Sequence, residues 1–206
     1  RDQRLRVAFD DMDVIREITP GHLYQARALI TDADMVCIDA NLSARTLQTL
    51  FRLTSKYEVP VVADPTTSLL AHRLHPYLPQ LAAVTPDRDE AAALLGESLL
   101  TDEAISNGAR RLVQLGVDLA VITMGAEGLY YATADENGRL AALPVDIVDL
   151  TGAGDALTAA VAYGLLEKVA PAEAVRLGMA AASQTVACKQ TVCPTLSLES
   201  LYERLS

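Results

Sequence analysis

Between residues 149 and 160 the chain reads DLTGAGDALTAA, with Gly152 and Gly154 on either side of Ala153 and Asp155 directly after them, where an apolar helix begins. Glycines at a helix entrance let the backbone approach a ligand closely. The N–H groups of the first turn have no helical partner and carry roughly half a positive charge. Such an entrance cradles an anion. A carboxylate beside a phosphate cradle would repel the phosphate, so the best use of Asp155 is to face a second substrate and take a proton from it. A hydroxyl attacking a terminal phosphoryl group needs both parts: a base on the nucleophile, and N–H donors on the charge that develops across the transferred group. An aspartate that only caps a helix after a glycine turn would leave the same pattern, so the motif alone supports both readings.

Residues of this kind need a scaffold, and the rest of the chain supplies a repeating one. The short apolar runs MVCID (35–39), VPVVAD (59–64), AAVTP (82–86) and LAVITMG (119–125) read as strands buried on both faces. Between them, 43–57, 87–95 and 101–115 read as helices, with Ser43, Asp87 and Thr101 as N-caps. This alternation predicts a parallel sheet covered by helices on both faces. After Gly125 the pattern changes: GLYYA (128–132) and LAALPVDIVD (140–149) flank the polar TADENGR, as in a hairpin at a sheet edge. Helices follow from about Asp155 to Lys168 and from Pro171 to about Ala187. Asp39 and Asn41, Asp64, Thr85 and Asp87, Thr123 and Gly125, and Asp149 to Asp155 all follow strand ends. In open α/β sheets that rim is where ligands bind. Each of these residues is also an ordinary cap or turn former.

Composition narrows the partners. A formal net charge of −10 over 206 residues repels nucleic acid and anionic lipid at long range, so any phosphate must be gripped locally. No run approaches the roughly 20 apolar residues of a membrane span. His22, His72 and His75 lack metal-ligand spacing. Cys37, Cys188 and Cys193 form no paired CxxC, as expected of reduced thiols and a cytoplasmic location.

The stretch DLTGAGDALTAA closely resembles the C-terminal signature of the PfkB, or ribokinase-like, carbohydrate kinases. That resemblance implies a ribokinase-like three-layer α/β sandwich with a mostly parallel central sheet, working with ATP and Mg2+. It makes Asp155 the catalytic base and Thr151, Gly152, Ala153 and Gly154 the anion hole. TPDRDEAAALLG (85–96) is similar to the family segment bearing an NxxE motif that acts on magnesium through water. Glu90 matches that motif, whereas Asp87 stands in place of its asparagine. TMGAEG (123–128) is similar to the nucleotide-binding turn TxGxxG, which puts Thr123, Gly125 and Gly128 near ATP. A K+ site in relatives falls near the residues matching Asp149 and Thr151.

Within the family, DMDVIREITP (11–20), IDANLS (38–43) and TVCPTLS (191–197) look like stretches of pseudouridine kinases, which phosphorylate a ribose 5′-hydroxyl. The implied partner is a small sugar or nucleoside, with neither nucleic acid nor membrane, and with the protein assembling as a homo-oligomer. The resemblance also implies that the chain, 1–206, is the C-terminal nucleotide-binding and catalytic part of one kinase domain. It would begin near a strand at LRVAFDDMD, after the portion that supplies the first strands, sugar contacts and a β lid. Alternatives are a ribokinase, ketodeoxygluconate kinase or adenosine kinase relative, or a non-catalytic nucleotide-binding or assembly module.

Overall fold

A computed structural model describes residues 12–206. The strand expected at LRVAFDDMD lies outside them except for Met12 and Asp13, which lead into a 3-10 turn over Asp13–Glu17. Two short helices, α1 (Pro20–Gln25) and α2 (Arg27–Thr31), precede the sheet.

Strand and helix then alternate: β1 (Val36–Asp39), α3 (Ala44–Lys56), β2 (Val61–Asp64), α4 (Ser68–Ala71), a 3-10 run over His72–Gln80, β3 (Leu81–Val84), α5 (Arg88–Leu95), α6 (Asp102–Gln114) and β4 (Leu119–Thr123). The three long crossover helices start where short polar side chains satisfy first-turn N–H groups. Ser43 accepts from Thr46 N at 3.2 Å, Asp87 from Glu90 N at 2.8 Å, and Thr101 from Ala104 N at 3.1 Å. Strands β1 to β4 pair parallel in chain order. β3 stops at Val84, before the expected 86, and Pro86, which has no N–H, accepts from Thr123 N at 2.9 Å instead.

The sheet ends in an antiparallel pair, β5 (Leu129–Ala132) and β6 (Asn137–Leu140), so the expected hairpin exists with a shifted second strand. Residues 141–149 lie outside the ladder. The reason is register: Leu129 pairs with Leu140, and β5 begins there because the chain turns at Gly128. Pro144 also lacks a donor for any continuation.

Three more helices, α7 (Ala153–Leu166), α8 (Pro171–Val186) and α9 (Leu198–Leu205), follow the sheet among the described residues. Alternating strand residues divide the core into two sides. Val61, Ala63, Ala120 and Ile122 pack with Leu47 and Phe51 of α3, Leu94 of α5 and Leu112 of α6. Val62, Leu119 and Val121 pack with Leu157 and Val161 of α7 and Val175 and Met179 of α8. The result is a three-layer α/β sandwich, with the polar strand ends gathered along one rim.

Candidate active site

Helix α7 begins two residues before the expected Asp155. Gly152 is its N-cap at φ 85°, Ala153 is the first helical residue, and Asp155 lies inside the first turn. The first regular helical bond runs from Ala156 N to Gly152 O at 2.9 Å, so the N–H groups of Gly154 and Asp155 precede the helical ladder and point out of the helix end. Asp155 is exposed beside them.

The two glycines serve different purposes. A methyl group at Gly152 would lie 2.3 Å from the Thr191 carbonyl oxygen, because the 188–197 loop presses on this turn. At Gly154 the nearest atom to an added methyl is Asp64 Oδ2 at 3.8 Å. Gly152 is therefore demanded by protein packing, whereas the space in front of Gly154 is left open toward the sheet.

Thr151 donates its N–H to Asp149 Oδ1 at 2.9 Å, which holds the Asp149 carboxyl below the usual range. The same turn is tied to the end of α8, since Val148 N and Asp149 N donate to Val186 O at 2.8 and 3.2 Å.

Opposite α7 stand the sheet carboxylates. Asp39 and Asp64 are register partners on β1 and β2. Burial raises the Asp64 carboxyl, and the charges of Asp155 and Asp39 add to this, while hydrogen bonds from Thr66 N and Thr158 oppose it. Asp87 and Glu90 cap one another: Glu90 N donates to Asp87 Oδ1 and Asp87 N donates to Glu90 Oε2, both at 2.8 Å. Asp87 thus does cap its helix, and in doing so it fixes the Glu90 carboxylate. Burial pushes the Glu90 carboxyl up to about 7, reinforced by the charges of Asp87, Asp64 and Asp89. Among the described residues, no three His, Cys, Asp or Glu side chains converge to hold a metal directly.

Because the folded protein holds the Glu90 proton more tightly than the unfolded chain does, Glu90 favours folding most below pH 4.5, and the contribution drains as the pH rises to about 7. Glu90→Gln keeps the capping geometry and removes the titration. Its Tm should rise relative to the unsubstituted protein between pH 4.5 and 7. Parallel Tm profiles across that window would refute the assignment.

Thr123, Gly125 and Gly128 form one turn after β4. Met124 N donates to Gly128 O at 2.8 Å, and Gly128 N donates to Gly125 O at 3.1 Å. Gly128 sits at φ 93°, and a methyl group there would meet Leu140 O at 2.0 Å. This turn and the start of α7 are the two ends of one open, mainly apolar cavity of about 390 Å³. Its walls include Leu143, Val145, Ile147, Met179 and Val186. The candidate residues therefore fall along one rim, and Ala153 and Gly154 share the cavity with Thr123, Gly125 and Gly128.

Sequence reasoning missed the cavity's outer wall, reading 140–149 as a strand. The only available signal was Pro144. It also passed over Thr158, three residues after Asp155 and buried. A threonine inside an apolar helix gave no sign of its partner, Thr85, which lies 73 positions earlier.

Known proteins resemble this chain along nearly its whole length. Pseudouridine kinase of Escherichia coli is 31% identical over 196 residues, which cover 95% of this chain and 62% of that protein. A carbohydrate kinase from Agrobacterium tumefaciens superposes with a TM-score of 0.81 at 29% identity, covering 100% of this chain and 65% of that one. Arabidopsis thaliana ribokinase, complexed with ribose and ATP, gives a TM-score of 0.76 at 25% identity, covering 88% of this chain and 58% of that one. The chain thus spans less than two thirds of each of these relatives. Residues 7–197 match the pfkB family carbohydrate kinase. With that match spanning the whole sheet, the Thr151–Asp155 turn and α8, the chain belongs to the pfkB family of carbohydrate kinases.

Proposed function

We propose that this chain carries the nucleotide-binding and catalytic part of an ATP-dependent kinase that phosphorylates a sugar or nucleoside hydroxyl, with the 5′-hydroxyl of pseudouridine as acceptor. The observation that carries the reading is the first turn of α7: outward N–H groups, an exposed carboxylate beside them, and a cavity running from the turn to the Thr123–Gly128 glycine turn. The apolar walls suit a flat base, and the α7 end suits phosphates.

In this reading the N–H groups of Gly154 and its neighbours hold the charge that develops on the transferred phosphoryl group, with Thr151, Gly152 and Ala153 shaping the turn. Asp155 takes the proton from the acceptor hydroxyl. Magnesium, when bound, would neutralise phosphate charge. Glu90 and Asp87 fit it as hard oxygen donors acting through water, in keeping with the lack of a direct three-carboxylate cluster among the described residues. Asp149, held ionised, and Thr151 are the groups a K+ ion would use. The charge of −10 favours a small acceptor over nucleic acid, in a cytoplasmic enzyme that works as a homo-oligomer.

Pseudouridine is favoured as acceptor by the 31% identity to a pseudouridine kinase across 95% of the chain. Phosphoryl transfer from labelled ATP should be measured on pseudouridine, uridine, inosine and ribose. We expect kcat/KM for pseudouridine to exceed the others by about 10-fold or more. A preference for ribose or inosine would overturn the acceptor. Nucleotide binding by the whole protein without transfer to any acceptor would overturn the kinase reading in favour of a binding module.

A further inference from the structure

The rim carboxylates and the anion hole sit on different layers, and one buried pair of hydroxyls joins them. Thr85 follows β3 and Thr158 lies in the second turn of α7; both are buried. Their Oγ1 atoms are 2.7 Å apart. Thr158 Oγ1 is also 2.9 Å from the Gly154 carbonyl oxygen and 3.4 Å from Asp64 Oδ2. A single hydroxyl therefore touches the β3 end, the β2 end and the first turn of α7.

The proton count orders this cluster. A hydroxyl donates once, and both Gly154 O and an ionised Asp64 can only accept. Thr158 therefore shares its one proton between Gly154 O, at the shorter distance, and Asp64 Oδ2, and Thr85 donates into Thr158. The carbonyl belongs to the residue whose N–H faces the cavity, and Asp64 is the nearest group across the gap from Gly154. Around this point the interface between α7 and the strand ends is apolar: Leu157 and Val161 pack on Val62, Ala83 and Val121. Such packing sets the spacing of layers but not the orientation of one helical turn, since apolar contacts have no direction.

We propose that Thr158 and Thr85 are positioning residues whose paired hydroxyls fix the first turn of α7, with its anion hole and Asp155, over the carboxylates at the ends of β2 and β3. The pair touches neither nucleotide nor acceptor and acts through Gly154 and Asp64. This rests on the kinase reading for its catalytic consequence, but the geometric claim stands without it.

The test uses Thr158→Val, Thr158→Ser, Thr85→Val and the double valine variant in the intact protein. Thr158→Val keeps the shape and removes the hydroxyl, and Thr158→Ser keeps the hydroxyl. Amide exchange over Ala156–Ala159 should quicken by about 10-fold in Thr158→Val and be restored in Thr158→Ser, because a buried hydrogen bond to the turn is lost and regained. kcat should fall by roughly 10- to 100-fold in Thr158→Val with the KM for ATP nearly unchanged, since misplacement by about 1 Å is costly while the cavity walls are untouched. Thr85→Val should lose a similar factor, and the double variant should be no worse than either single one.

Unchanged exchange in Thr158→Val, or failure of Thr158→Ser to restore it, would overturn the proposal whether or not the protein transfers phosphate. In an active protein, kcat within two-fold of normal or additive losses in the double variant would do the same. An inactive unsubstituted protein with the expected exchange pattern would instead count against the kinase reading.

Discussion

Asp155→Asn should leave ATP bound and bring transfer nearly to a halt. The side chain is exposed in the first turn of α7, beside the residues whose N–H groups precede the helical ladder. Asparagine has the same size and keeps a polar oxygen at the helix entrance, but it cannot accept the acceptor's proton. General-base catalysis contributes about 10²- to 10⁴-fold, and kcat should fall by that factor. Nucleotide affinity, measured by calorimetry, should stay within about three-fold, because removing a negative charge beside bound phosphates offsets small losses of fit. Tm should hardly move, since an exposed group contributes little to packing. If kcat falls by less than about ten-fold, the carboxylate is a helix-entrance residue and not the base.

The second large effect separates the two glycines of the same turn. Gly154→Ala should fold as well as the unsubstituted protein, or better, because alanine is favoured over glycine in a helix by up to about 1 kcal/mol and its methyl would meet nothing closer than 3.8 Å. That methyl nevertheless occupies the gap between α7 and Asp64, where the transferred group would lie, so turnover should drop by about 10²-fold. Gly152→Ala should show the opposite order of effects. At φ 85° with the Thr191 carbonyl only 2.3 Å from the new methyl, it should cost about 2 to 4 kcal/mol of stability, and its loss of activity should follow unfolding. Thermal unfolding and single-turnover transfer on both variants check this. Gly154→Ala with full activity would remove the anion-hole assignment.

Much of the scaffold was legible because its signals are short in range. Ser43, Asp87 and Thr101 were readable as caps since each hydrogen bond reaches only three residues ahead. The doubly buried strands showed themselves as unbroken apolar runs. The shift of β6 to Asn137–Leu140 was not legible. It depends on where β5 begins, and β5 begins after a turn whose glycine is pressed by the β6 backbone itself. The candidate residues of the anion hole and glycine turn were readable as local motifs, but their meeting along one cavity was not.

The layer pattern, the helix entrances and the glycine-rich turn with Asp155 follow from neighbouring residues, because periodicity, capping and backbone freedom act over a few positions. Tertiary packing sets what those residues do to one another. It put the Thr191 backbone against Gly152 and left Gly154 open, although both are glycines in one motif. It buried Glu90 so that its carboxyl rises to about 7, and brought Thr85 to within 2.7 Å of Thr158. Desolvation, close approach and long-range hydrogen bonds depend on which surfaces the sheet brings together, and no local pattern encodes that distance.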